Sequence, residues 1–127
     1  MSYYMKTYNK TIDTYQATYE LLIAMSKATI SFAREYKYTF WERILNYTLD
    51  ATAEVYLAKD AYWSHEKVEH INKALKNIAL LWVMRKACGE IPNLSINVYT
   101  EQLENISRIS KQLRLWQEYC EKNMDKK

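Results

Sequence analysis

Apolar residues recur every three or four positions along four stretches of the chain, which is the spacing that lines one face of an α-helix. In the first stretch, Ile12, Tyr15, Tyr19 and Leu22 keep this spacing. Between the stretches lie short segments without helical periodicity. The pattern predicts four helices, at about 11–32, 40–61, 65–88 and 96–121. The lysine-rich C-terminal tail that follows them should fray.

The second stretch carries two apolar stripes side by side. The first stripe consists of Phe40, Ile44, Ala51, Val55 and Ala58. The second stripe consists of Trp41, Leu45, Leu49, Thr52 and Tyr56. A helix on the outside of a globular protein needs only one apolar face toward the core. With Trp63 and Trp82, the second stripe is extra apolar surface that a subunit interface would bury.

Capping residues indicate where the helices begin and end. Thr39 and Glu42 form a T-x-x-E capping box, which predicts that the second helix begins directly after the threonine. Ser64 is predicted to cap the third helix, and Gly89 suits the position just after its end. Ser95 is predicted to cap the fourth helix.

Glycine and proline are scarce, with one of each in 127 residues. β-Sandwiches and βαβ units need many more of both, whereas long helices joined by short loops need few. The length suits one domain. Because short loops make consecutive helices run antiparallel, we expect an all-α fold in which residues 1–127 form a single up-down-up-down antiparallel four-helix bundle.

The charged residues are distributed unevenly, although the formal net charge is only +3. Residues 64–87 carry five basic and two acidic residues, and residues 105–117 carry three basic residues and no acidic one. Residues 39–61 carry two basic and four acidic residues. We therefore expect a basic side built from the third and fourth helices. Its candidate nucleic-acid-binding residues are Lys73, Lys76, Arg85, Lys86, Arg108, Lys111 and Arg114.

The same cations also fit a role in solubility and pairing within a helix. Glu69 and Lys73 are spaced i, i+4 with the glutamate first, which is the favourable order for an ion pair. Arg43, between apolar neighbours, is expected to pack between helices or to hold a neighbouring subunit rather than to contact nucleic acid.

No segment has the features of a signal peptide or of a membrane span. The longest uncharged apolar segment, residues 77–84, is far shorter than the roughly 20 residues that cross a bilayer. Cys88 and Cys120 fit a reducing compartment, and they are predicted to lie too far apart along the bundle to form a disulfide. We expect a cytoplasmic protein without a membrane partner.

The most enzyme-like motif is "HEKVEH" at residues 65–70. A zinc protease needs its two histidines at i, i+4 on one helical face, but His65 and His70 are spaced i, i+5. Neither histidine follows a glutamate by three residues, as di-iron bundles require. We expect both histidines to be ordinary surface residues. The sequence predicts no catalytic residue, no metal site and no cofactor.

Three segments resemble one family of bacterial four-helix bundles. "YTFWERILNYTLD" at residues 38–50 resembles the aromatic-Thr-Phe-x-x-Arg-Ile…Leu-Asp signature of the accessory variability determinant (Avd) proteins of diversity-generating retroelements. "LKNIALLWVMRKACG" at residues 75–89 is similar to the leucine-rich third helix of that family, with its late arginine at Arg85. "LSINVYTE" at residues 94–101 is similar to the entry to its fourth helix, with Tyr99 in register. Relatives include proteins encoded by intervening sequences of 23S ribosomal RNA genes.

The resemblance implies a homopentamer with a basic surface and no enzymatic activity. It implies as partners the reverse transcriptase of the element and its template RNA, with DNA or an RNA/DNA hybrid as further ligands, in support of mutagenic cDNA synthesis. The residues assigned to a subunit interface or partner contact are Trp41, Arg43, Tyr56 and Trp63. The alternative is an oligomeric scaffold or interaction protein without a nucleic-acid role.

Overall fold

The computed structural model describes the backbone of residues 3–28, 35, 37–91 and 97–124, and within them the side chains of residues 13–27, 35, 39–91 and 99–124. Nearly all of this backbone is helical. A short π-helical turn, Lys37–Trp41, precedes the second helix. The α-helices are α1 (Tyr3–Ala28), α2 (Glu42–Asp60), α3 (Ser64–Gly89) and α4 (Asn97–Met124).

The four helices pack around a common core, which confirms the prediction of an all-α bundle. Each helix packs against the next in the chain, and α1 also packs against α4. The contacts between consecutive helices run in opposite chain directions. Between α3 and α4, for example, Leu81 meets Tyr99 whereas Asn72 meets Gln117. This is the sense of packing that the predicted up-down-up-down order requires.

The buried side chains of each helix form one narrow seam, in which most steps are of three or four residues. On α3 the seam is continuous from the first turns to the last, and it consists of Ile71, Ala74, Ile78, Leu81, Met84 and Cys88. This spacing is that of the inward positions in a left-handed helical bundle. Since one seam on each helix fills the core, the side chains on the opposite side of that helix face outward.

The first predicted stripe on α2 lies largely in the core, whereas only part of the second does. The seam contains Ile44, Ala51, Val55 and Ala58 from the first stripe, as predicted. From the second stripe, Leu45 is half-buried, whereas Leu49 and Tyr56 are exposed. Trp41 and Thr52 also belong to the second stripe, but both are buried.

The start of α2 differs from the prediction. Thr39 lies inside the π-helical turn, so its backbone is already helical and the predicted cap at this residue is wrong. The turn leads the indole of Trp41 into the core, where 1% of the residue is exposed. Burying the roughly 150–250 Å² of a large aromatic side chain contributes about 4 kcal/mol at about 25 cal/mol per Å², more than the ~1 kcal/mol of a cap. Burial of the indole therefore outweighs the cap.

The two terminal helices are longer than predicted. α1 begins at Tyr3, well before the predicted start near residue 11, because no glycine or proline interrupts this segment. α4 continues through Met124 into the tail that was expected to fray. Its last turn is supported by the Asn123 side-chain amide, which donates a hydrogen bond to the Tyr119 carbonyl at 2.7 Å. The end predicted for α1, the Ser95 cap and residues 125–127 lie outside the described residues.

Buried hydroxyl groups join the helices to one another. The Thr52 hydroxyl lies 2.8 Å from the Thr48 carbonyl of its own helix and 3.2 Å from the Thr18 carbonyl of α1, so it links α2 to α1. The Tyr99 hydroxyl donates to the Leu81 carbonyl and links α4 to α3. Each of these polar groups is satisfied within the bundle, which fixes the register of neighbouring helices.

A matched pair of leucine substitutions tests the assignment of the seam. Leu81 is 0% exposed and Leu57, outside the apolar face described below, is 46% exposed. We expect Leu81→Ala to lower the free energy of unfolding by about 2–5 kcal/mol, since it leaves a core cavity. Leu57→Ala should change it by about 0.5 kcal/mol or less. Urea titration followed by circular dichroism measures both, and equal losses would contradict the assignment.

Candidate nucleic-acid interface

An open groove of ≈ 320 Å³ runs between α3 and α4. The α4 side is built from residues at i, i+3, i+4, i+7 and i+8, a spacing that places them along one side of a helix. Trp82 forms the wall contributed by α3. The residues of α4 that line the groove are Ser107, Ser110, Lys111, Arg114 and Leu115.

The groove is electropositive, because two cations and no acidic residue line it. Lys111 and Arg114 are both exposed, and neither forms an ion pair within the described part of the chain. Trp82 opposite them is 39% exposed, so a large aromatic surface borders the same space. A cationic groove with an aromatic wall suits a ligand that combines a flat ring with negative charge.

The other predicted cations do not line this groove. Lys76, Lys86 and Arg108 are exposed on other parts of α3 and α4. Lys73 lies 3.5 Å from Glu69, which confirms the ion pair predicted from their spacing. The predicted set therefore separates into two groove residues and a more dispersed group of surface cations.

Arg85 differs from the rest of the set because it is half-buried. Its Nε atom is fully enclosed and has no hydrogen-bond partner among the described residues. It lies close enough to Tyr99 to counteract, in part, the burial that raises the pKa of that phenol. Arg85 is therefore less open to a ligand than the exposed cations, and its assignment to nucleic-acid binding stays a prediction.

The residues predicted to form a subunit interface differ in their exposure to solvent. Trp41 lies inside the bundle and offers no surface to a second subunit, so its assignment to an interface is wrong. Arg43 is exposed, and Tyr56 and Trp63 are each 45% exposed. Burial of Trp41 could have been expected from its heptad spacing to Ile44, but both stripes of α2 fit a helical face equally well.

An apolar face lies on the side of the bundle formed by α1 and α2. We define it by the exposed residues Tyr19, Ile23, Leu49 and Tyr56. The ring of Tyr15 joins its two helices, with centroids 6.4 Å from Tyr19 and 5.7 Å from Tyr56. The second stripe of α2 indicated half of this face, whereas the α1 half was not assigned from the sequence.

Lys67 and His70 show how polar residues of α3 serve the fold. The Lys67 ammonium donates to the last carbonyls of α2, at 2.9 Å from Ala58 and 3.3 Å from Lys59. Desolvation lowers the pKa of Lys67. The His70 Nδ1 lies 2.6 Å from a carboxylate oxygen of Glu54 on α2. His70 thus links α3 to α2 and is not the ordinary surface residue that was expected, whereas His65 is exposed.

The two cysteines are free and buried, in agreement with the prediction that they do not pair. Burial raises the pKa of the Cys120 thiol to about 11, despite the nearby Lys67, and burial also raises the pKa of Cys88. Both thiols therefore stay protonated at neutral pH, which does not suit a nucleophile.

Two further findings concern metal binding and membrane insertion. Among the described residues, no group of three or more His, Cys, Asp or Glu side chains is placed to hold a metal ion. None of the helices, over the part of the chain described, is both long and apolar enough to span a bilayer.

Comparison of the chain with protein-family models, with curated proteins and with solved structures finds no match in any of the three. The resemblance to Avd proteins therefore stays a prediction that depends on the three quoted segments.

Proposed function

We propose that this protein is a non-enzymatic nucleic-acid-binding accessory of a reverse transcriptase, acting in the cytoplasm as an oligomeric bundle. The observation that carries the proposal is the α3–α4 groove, where Trp82 faces Lys111 and Arg114. The identity of the enzyme partner, and its placement in a diversity-generating retroelement with template RNA, come from the resemblance of the three segments to Avd proteins.

The charge pattern supports RNA as the ligand of the groove. Phosphate groups bind lysine and arginine through charge and hydrogen bonds without regard to base sequence. The exposed cations Lys76, Lys86 and Arg108 extend the positive potential beyond the groove. Such a surface would attract a nucleic-acid backbone from a distance and hold it at the groove, where Lys111 and Arg114 lie.

A second candidate function is an oligomeric scaffold without a nucleic-acid role. The apolar face on α1 and α2 favours this alternative, since exposed apolar side chains on two adjacent helices are a common feature of subunit interfaces. The two candidates share the oligomer and differ in whether RNA binds, so RNA binding distinguishes them.

Charge reversal in the groove tests the proposed function. We expect the wild-type protein to bind RNA with a dissociation constant that rises steeply between about 50 and 200 mM salt. Lys111→Glu combined with Arg114→Glu should weaken binding by about tenfold or more, and should reduce the salt-dependence slope by roughly 1.4 for two single-strand phosphate contacts. Fluorescence anisotropy with a labelled RNA measures both quantities.

The matched control is Lys73→Glu combined with Lys76→Glu, which changes the net charge by the same amount at two exposed residues of α3 that do not line the groove. We expect a smaller loss of affinity from this control. Equal losses would mean that net charge, rather than the groove, determines binding. A wild-type protein that binds no RNA at low salt would contradict the proposed function and leave the scaffold alternative.

Light scattering tests the oligomer, which both candidates require. We expect a mass several times that of the 15.2 kDa chain, and five times if the resemblance holds for subunit number. Leu49→Glu should reduce this mass because it introduces a charge into the apolar face. Val83→Glu, at an exposed apolar residue of α3, is the control and should leave the mass unchanged. A wild-type monomer at micromolar concentration would exclude the proposed interface.

A further inference from the structure

The aromatic wall of the groove bears on which form of nucleic acid can bind there, whereas the cations do not. Lys111 and Arg114 would bind a duplex and a single strand equally well, because both forms of nucleic acid present phosphates. Within a nucleic acid, an exposed indole can stack only on a base that presents the face of its ring. In a duplex the faces of the bases are covered by stacking, whereas an unpaired base presents its face to a protein.

The dimensions of the groove limit how much ligand it can hold. Its volume of ≈ 320 Å³ lies at the small end of the roughly 300–1,000 Å³ found for small-molecule sites. This space is comparable to that of about one nucleotide unit. Ser107 and Ser110 also line the groove, and their hydroxyls can provide neutral hydrogen-bonding groups.

Resting on the proposed function, we propose that this groove binds one unpaired nucleotide and thereby makes the protein select single-stranded over double-stranded RNA. The base stacks on the indole of Trp82, and the adjoining phosphate binds Lys111 and Arg114. The cations outside the groove add affinity for any nucleic-acid backbone, without distinguishing the two forms.

The experiment measures the dissociation constants of a single-stranded RNA and of a blunt duplex containing the same strand, for wild type and for two variants of Trp82. We expect wild type to bind the single strand about tenfold more tightly than the duplex. Trp82→Ala should weaken single-strand binding by about fivefold or more, because base stacking on an aromatic ring is lost. Duplex binding should change by less than about twofold, since the phosphate contacts remain.

Trp82→Phe is the conservative variant and should retain most of the single-strand affinity, because it keeps an aromatic ring. Tyr62→Ala is the matched control, since Tyr62 is 82% exposed and lies in the turn between α2 and α3, away from the groove. It should bind both RNAs as wild type does. Circular dichroism confirms that each variant keeps its helical content.

The outcomes separate the inference from the proposed function. Wild-type binding that is equal for the two RNAs and insensitive to Trp82→Ala overturns the inference while the proposed function stands. A folded Trp82→Phe that loses as much single-strand affinity as Trp82→Ala also overturns stacking as the mechanism. Failure of wild type to bind either RNA overturns the proposed function, and the inference with it.

Discussion

The buried seams of the four helices are the constraint on which the rest of the molecule depends. On α4, Ile106, Ile109 and Leu113 are each 0% exposed, so the rotation of this helix about its axis is fixed by burial. That rotation places Lys111 and Arg114 beside α3 and open to solvent. Turning α4 by one residue, about 100°, would bury a cation and expose leucine or isoleucine, and both changes are unfavourable. The candidate site is thus a consequence of how the core is filled.

The same constraint divides the basic residues into those that stabilise the bundle and those that can meet a ligand. Lys67 binds the carbonyls at the end of α2, and Arg85 is half-buried with its Nε atom enclosed. Both contribute to any count of charge along the chain, yet neither is fully exposed. The positive surface is therefore smaller than the sequence suggests, and Lys111 and Arg114 form its concentrated part.

The sequence was sufficient to predict the fold because each helix has a strong heptad pattern and almost no glycine or proline interrupts it. It could not decide which stripe of α2 enters the core, since both stripes are apolar and both fit a helix. It also could not pair Trp82 with Lys111, because a groove between helices depends on the rotation and register of two separate elements. The α1 half of the apolar face, at Tyr19 and Ile23, depends on the same tertiary information.

The four tryptophans allow the central claim, that the groove beside Trp82 is the nucleic-acid site, to be measured directly. Trp41 and Trp116 are buried, whereas Trp63 and Trp82 are both exposed but lie on different parts of the bundle. Each indole N–H gives a separate signal in a nitrogen–proton correlation spectrum. During titration with a single-stranded RNA, we predict that the Trp82 signal shifts progressively while the signals of Trp63, Trp41 and Trp116 stay close to their free positions. RNA binding that leaves the Trp82 signal in place would contradict the account.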